Sequence, residues 1–363
     1  MDVRYSGKKF QHCKSDSRGQ KSDSIFYPRQ MKTMMLKFFN WKKIGILLGL
    51  VFIAVYPLIH GDTYIMHIFI LFFIWALVAS NWNLLMGYAG IFSLGNIGYF
   101  AIGGYTSGIL CKTFGWSPWI CILWGGLASM VLVTIFVGLP ALRLSGIYIA
   151  LLSLIFADSL PTILTQTRSI TGGAMGLHDI PPLFAGITRV HSYYITFVLF
   201  LVILTIIYHV INSTTGLAFV ALRDSKNFAT ALGVNEYKEK LKVFALVSFL
   251  TGITGGFYVH YLGDISPTTL AIEPFLLTIA MMEMGGVGRF PGAVLGAVII
   301  VFGNEFLRLA GTLRLALLGA LICAIILFFP GGLMQFIDWI DNRIARSRQR
   351  EAGLVPSGQK TRE

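Results

Sequence analysis

Apolar windows long enough to cross a lipid bilayer as helices recur along this chain, and nothing else in it constrains the fold so strongly. They lie at about 44–59, 64–86, 97–113, 118–138, 147–163, 191–211, 243–262, 274–287, 292–308 and 314–330. With 55% hydrophobic and 13% charged residues, the 363-residue chain has more apolar surface than a water-soluble interior can hide. The windows are continuously apolar, whereas a barrel strand alternates. The expected fold is therefore all-α and polytopic, with about ten transmembrane helices.

The net charge of +12 bears on topology. Residues 1–43, 212–242 and 331–363 hold eleven, five and six of the 29 lysines and arginines. Basic segments stay on the cytoplasmic side because translocating them is costly. Ten spans counted from a cytoplasmic N-terminus also place 212–242 and the C-terminus inside. Charge and parity thus agree, and nucleic acid is not needed to explain the charge. Residues 1–43 read as a basic, disordered cytoplasmic tail, 44–330 as the transmembrane domain with a cytoplasmic loop at 212–242, and 331–363 as a second cytoplasmic tail. Met31, Met34 and Met35 are alternative starts.

No chemistry-bearing constellation stands out. The chain has no GxSxG, HExxH or P-loop, and its four cysteines and seven histidines are dispersed, so neither catalysis nor a resident metal or cofactor is expected. Two glycine-rich breaks interrupt the apolar pattern, at 86–105 ("MGYAGIFSLGNIGYFAIGGY") and 284–297 ("MGGVGRFPGAVLGA"). Both contain Gly-x-x-Gly followed two residues on by Phe: Gly87, Gly90, Phe92 and Gly285, Gly288, Phe290. Irregular backbone at membrane depth survives where it is buried in protein or lines a cavity. Gly87, Gly90, Ser93, Gly95 and Asn96 are accordingly candidates for a translocation pathway, with close helix packing through small residues as the alternative. Packing is the reading for Gly103, Gly104, Gly292 and Gly296.

Carboxylates inside apolar spans are costly and each needs a reason. Glu305 has Arg308 one helical turn away and reads as structural. Asp158 and Glu283 join the pathway candidates. The longest outer loop, 164–190, has tight turns at Gly172-Gly173, Gly176 and Pro181-Pro182, and Thr171, Gly172 and Gly173 join the pathway candidates as part of its external mouth.

The stretch "GLAFVALRDSKNFATALGV" (216–234) is a short polar interruption between apolar runs. Ser225 is placed to cap a helix from Lys226, with Phe228, Ala229, Ala231 and Leu232 as its apolar positions and Gly233 as its stop. Such a helix is too small to anchor in a membrane and suits a groove on a soluble partner.

The arrangement Arg223-Asp224 … Ala229-x-Ala231-x-Gly233, followed by "VNEYKEKLKVF" and "TGITGGFYVHYLG", resembles the permease subunits of ABC importers for branched-chain amino acids. The same resemblance runs through "GYAG…SLG" (87–95), "TGG…GL" (171–177), "GG.G…G…GA" (285–297) and "PGGL" (330–333), in unbroken order over about 64–333. It departs at Lys226, where the family usually has Glu, and at Asn96, where Gln is common. It implies a bacterial inner-membrane subunit forming half of a pathway. The short helix would dock on an ATP-binding subunit. The implied companions are a second, homologous permease subunit, two ATP-binding subunits that hold ATP and magnesium, and a periplasmic substrate-binding protein. Urea and short amides are alternative substrates under that resemblance. A stand-alone ion-coupled carrier using Asp158 and Glu283 is the alternative outside it.

Overall fold

The computed structural model describes residues 56–57, 62–184, 188–328 and 331–335. The expected N-terminal tail, nearly all of the span at 44–59, and residues 336–363 lie outside the described residues. Residues 56–57, a helical fragment, belong to a separate unit, Met1–Ile59, and everything below concerns the unit His60–Glu363.

The described chain is helical apart from one antiparallel bridge between Leu177 and Ile265. In order come α1 (Thr63–Asn83), α2 (Asn96–Phe114), α3 (Pro118–Val133), α4 (Ile147–Gln166), α5 (Arg168–Thr171), α6 (Arg189–Ile211), α7 (Thr214–Asp224), α8 (Lys226–Ala231), α9 (Glu236–Leu262), α10 (Ile272–Gly285), α11 (Gly292–Phe306) and α12 (Arg314–Phe328). A π-turn, Leu84–Tyr88, extends α1, and another, Thr134–Gly138, extends α3.

Five continuous helical stretches are long and apolar enough to cross a membrane: Thr63–Tyr88, Pro118–Ala141, Ile147–Gln166, Arg189–Ile211 and Glu236–Leu262. The other four expected spans within the described residues fall on α2, α10, α11 and α12. Helix α2 has 19 residues but is diluted by four glycines. Helices α10 to α12 have 14, 15 and 15 residues, a rise of about 21–23 Å against a hydrocarbon core of about 30 Å. Hydropathy reads these runs as full spans because it is blind to backbone. Gly286, at φ +106°, stops α10, and Gly311, at φ +58°, kinks the 3-10 segment between α11 and α12.

The centre is a close packing of α2, α3 and α9. A Cβ on Gly103 would lie 2.2 Å from the Gly252 carbonyl oxygen, so these backbones touch because Gly103 has no side chain. Gly296 is held as tightly against Met281, as the packing reading expects. Buried hydroxyls find local acceptors: Ser129 donates to the Tyr99 carbonyl at 2.9 Å and Ser248 to that of Phe244 at 2.6 Å. Helix α1 joins this core to α6 and α11 through an aromatic cluster in which the Phe73 and Phe200 rings stand 5.1 Å apart. Helix α4 is peripheral, burying only Ile149, Ala150 and Ser153.

Residues 331–335 stand at the start of the expected C-terminal tail. They form a turn whose Gly332 is buried against Gly286, where an added Cβ would meet the Gly286 Cα at 2.6 Å. Gly331 and Gly332 thus lie against the second glycine break.

Candidate functional site

The two glycine breaks, nearly 200 residues apart in sequence, meet in space. A Cβ on Gly87 would sit 2.2 Å from the Gly288 amide nitrogen. Asn83 spans the contact. Its Oδ1 accepts from the Gly288 N–H at 2.7 Å and its Nδ2 donates to the Arg289 carbonyl at 3.1 Å. These bonds hold backbone groups of the break that follows α10. Arg223, from the last turn of α7, completes the junction: its Nη1 donates to the Gly87 carbonyl at 2.7 Å. Gly90, at φ +67°, lies so close to the Arg223 side chain that a Cβ there would come within 2.5 Å of it. Its missing side chain is the space the arginine passes through.

The segment 212–235 contains two helices, where the sequence suggests one. Ser213 caps α7, accepting from the Gly216 N–H at 3.4 Å. Arg223 also pairs with Asp224 at 2.9 Å. The extended backbone of Ser225 (φ −155°, ψ 98°) then separates α7 from α8. Ser225 does not cap α8 with its hydroxyl. Its carbonyl accepts from the Ala229 N–H at 3.0 Å, so the backbone alone starts the helix. Gly233 ends it at φ +88°, as expected. Asn235 caps α9 through the Lys238 N–H at 3.1 Å, and α9 begins at Glu236, inside the expected loop. Glu236 is clasped by Lys226 at 2.9 Å and Lys240 at 2.8 Å, which ties α8 to α9.

The apolar positions of α8 separate into two faces. Ala229 is fully buried within the chain, so it is no surface for a partner. Phe228 and Leu232, one turn apart, are 64% and 69% exposed, and Ala231 is exposed beside them. The i, i+4 pair is the outward face; the residue between them locks the helix down. Behind this platform a cavity of about 210 Å³ opens between the 90–92 backbone, the turn at Ser145 and Gly146, and helices α7 and α9. Glu239 lines it. Its Oε1 takes Lys242 at 2.6 Å, while its Oε2 is buried with no partner among the described residues.

Residues 64–329 match the family described as "branched-chain amino acid transport system / permease component". This chain belongs to that family. It is 26% identical over 288 residues to the high-affinity branched-chain amino acid transport system permease protein LivM of Salmonella typhimurium, covering 72% of this chain and 68% of that one. The Escherichia coli K12 protein of the same name matches with the same identity and coverage. A probable LivM of Methanocaldococcus jannaschii is 25% identical over 268 residues, covering 63% of this chain and 77% of the relative. No solved structure matches this chain.

In this permease the remaining candidate residues separate into several groups. Ser93 and Asn96 are buried and their polar atoms are used internally. The Ser93 hydroxyl bonds the Tyr99 hydroxyl at 3.0 Å and its carbonyl accepts from the Trp82 indole at 2.7 Å. Asn96 donates to the Val78 carbonyl at 3.1 Å and accepts from Thr251 at 3.4 Å. Gly95 forms the N-cap of α2, against the Tyr99 ring. These residues hold the first break in shape. Thr171 is likewise buried, its hydroxyl donating to the Leu164 carbonyl at 2.6 Å. Gly172 and Gly173 follow at φ +74° and +67° in a loop that hydrogen-bonds to 263–265 through Leu177 and Ile180. Asp158 is exposed on α4, and Glu283 is half-buried on α10 with no hydrogen bond among the described residues. Glu305 pairs with Arg308 at 3.1 Å, as its spacing implies, and also accepts from the Tyr64 hydroxyl.

Sequence reasoning missed Asn83, the clamp between the breaks. It also missed Asn81, fully buried with neither amide atom bonded among the described residues. The available signal was the polar run Ser80, Asn81, Asn83 inside an apolar span.

Proposed function

We propose that this chain is one permease subunit of an ABC importer for branched-chain amino acids in a bacterial inner membrane. It works beside a second, homologous permease subunit, two ATP-binding subunits and a periplasmic substrate-binding protein. ATP and magnesium are bound by the partners, and this subunit catalyses no reaction. Both termini face the cytoplasm, with α7 and α8 on that side.

The observation that carries the reading is the bond from Arg223 to Gly87. The exposed Phe228 and Leu232 give α8 an apolar face for an ATP-binding subunit, and Arg223, at the preceding helix end, holds the point where α1 and α10 break. A push on α8 therefore has a rigid route to both broken helices. Asp158 and Glu283 face the pathway or the second permease under this reading, since each is a carboxylate in an apolar span with no ion-pair partner among the described residues.

Co-expression with the ATP-binding subunits and the binding protein, followed by purification through a tag on this chain, tests it. ATP hydrolysis that rises with leucine-loaded binding protein is the expected result. Transport by this chain alone in liposomes, driven by a pH gradient, would replace the importer with the carrier.

A further inference from the structure

A second cavity, of about 130 Å³, lies between α1, α10 and α11, away from the Arg223 junction. Trp75, Met281 and Ile300 supply apolar lining. Glu273, Asn304 and Glu305 line it with polar groups. The Asn304 Oδ1 is buried without a hydrogen-bond partner among the described residues, an acceptor that lacks a donor. Both carboxylates are held by arginines that do not themselves line the cavity, Glu273 by Arg314 at 2.7 Å and Glu305 by Arg308 at 3.1 Å.

We propose that this cavity is a substrate subsite in the membrane domain that takes the ammonium group and side chain of an aliphatic amino acid. An ammonium group carries three donors and a positive charge, which suits an unpartnered amide oxygen between two carboxylates. The side chain lies against Trp75, Met281 and Ile300; apolar cavities of about 150 Å³ admit a benzene-sized ligand, so a four-carbon chain fits. A lipid acyl chain would fill the apolar part and leave Asn304 unsatisfied. An acidic side chain would have to bury a charge against the apolar wall, and glycine would leave that wall empty.

This inference rests on the amino-acid permease reading and adds a contact made by this chain itself. The full complex in nanodiscs is irradiated with a diazirine analogue of leucine, and the adducts are mapped by mass spectrometry. Adducts within 273–281 and 300–305, suppressed by excess leucine and not by glutamate or glycine, are expected. Asn304→Leu lowers capture about tenfold, as loss of a charge-assisted bond does, while Asn304→Asp, which keeps the acceptor and the shape, retains it. Adducts elsewhere, or capture indifferent to Asn304→Leu, overturn the subsite. So does labelling of this cavity by a photoactivatable acyl chain that leucine does not displace. Leucine uptake by the same complex is measured separately: uptake without capture here removes the subsite and leaves the permease reading standing, and capture here without uptake does the reverse.

Discussion

Arg223 reaches across 136 residues of chain to donate from Nη1 to the Gly87 carbonyl at 2.7 Å, while its Nε pairs with Asp224. One guanidinium thereby joins the end of α7 to the break after α1. A charge-assisted hydrogen bond of this kind contributes about 1.5–3 kcal/mol, and the lower figure applies to a side chain 35% exposed. Arg223→Ala is expected to cut leucine-stimulated ATP hydrolysis by the assembled complex about tenfold or more, with normal amounts of permease in the membrane. Wild-type stimulation in Arg223→Ala would show that the junction transmits nothing.

Gly87→Ala tests the contact between the breaks. Its Cβ would lie 2.2 Å from the Gly288 nitrogen, a clash that only backbone movement relieves. Overpacking of this kind costs about 1–3 kcal/mol, so the purified variant should melt earlier and transport poorly. An unchanged melting curve would mean that the breaks are not in contact.

The outward face of α8 makes a separate prediction. Phe228→Asp with Leu232→Asp should weaken retention of the ATP-binding subunits on a tagged permease while leaving insertion intact. Ala231→Trp, at an exposed position, should act in the same direction. Ala229→Trp differs, because Ala229 is buried. It should disturb the α8–α9 fold and increase proteolysis of this segment even without partners.

Gly233 has open space around its missing Cβ but a φ of +88°. A β-branched residue there costs about 1–2 kcal/mol through backbone strain alone. Gly233→Val should impair coupling, whereas Gly233→Asn, which tolerates the left-handed region, should retain most of it. Equal uptake by the two variants would remove the turn from the mechanism.

Topology is open to direct labelling. Cysteines replacing Thr188 and Ser225 should react with an impermeant maleimide from opposite sides of the membrane. Reaction of both from outside would refute the cytoplasmic placement of α7 and α8.

The apolar runs by themselves determined that the chain is helical and built for lipid, since continuous hydrophobicity leaves a helix as the way to satisfy the backbone in hydrocarbon. Spacing within one helical turn was enough to anticipate the Glu305–Arg308 pair, and one glycine was enough to anticipate the stop at Gly233. These features depend on neighbours a few residues apart. Packing decided the rest. The meeting of Gly87 with Gly288, the Asn83 clamp across 205 residues and the cavity beside Asn304 depend on which helix faces which, and a helix hydrophobic all round gives no sign of its partner. Within α8, periodicity grouped Phe228, Ala229, Ala231 and Leu232 as one apolar set. Only the seating of α8 in the fold separated the buried Ala229 from the exposed side chains, because a six-residue helix owes its orientation to what holds its ends.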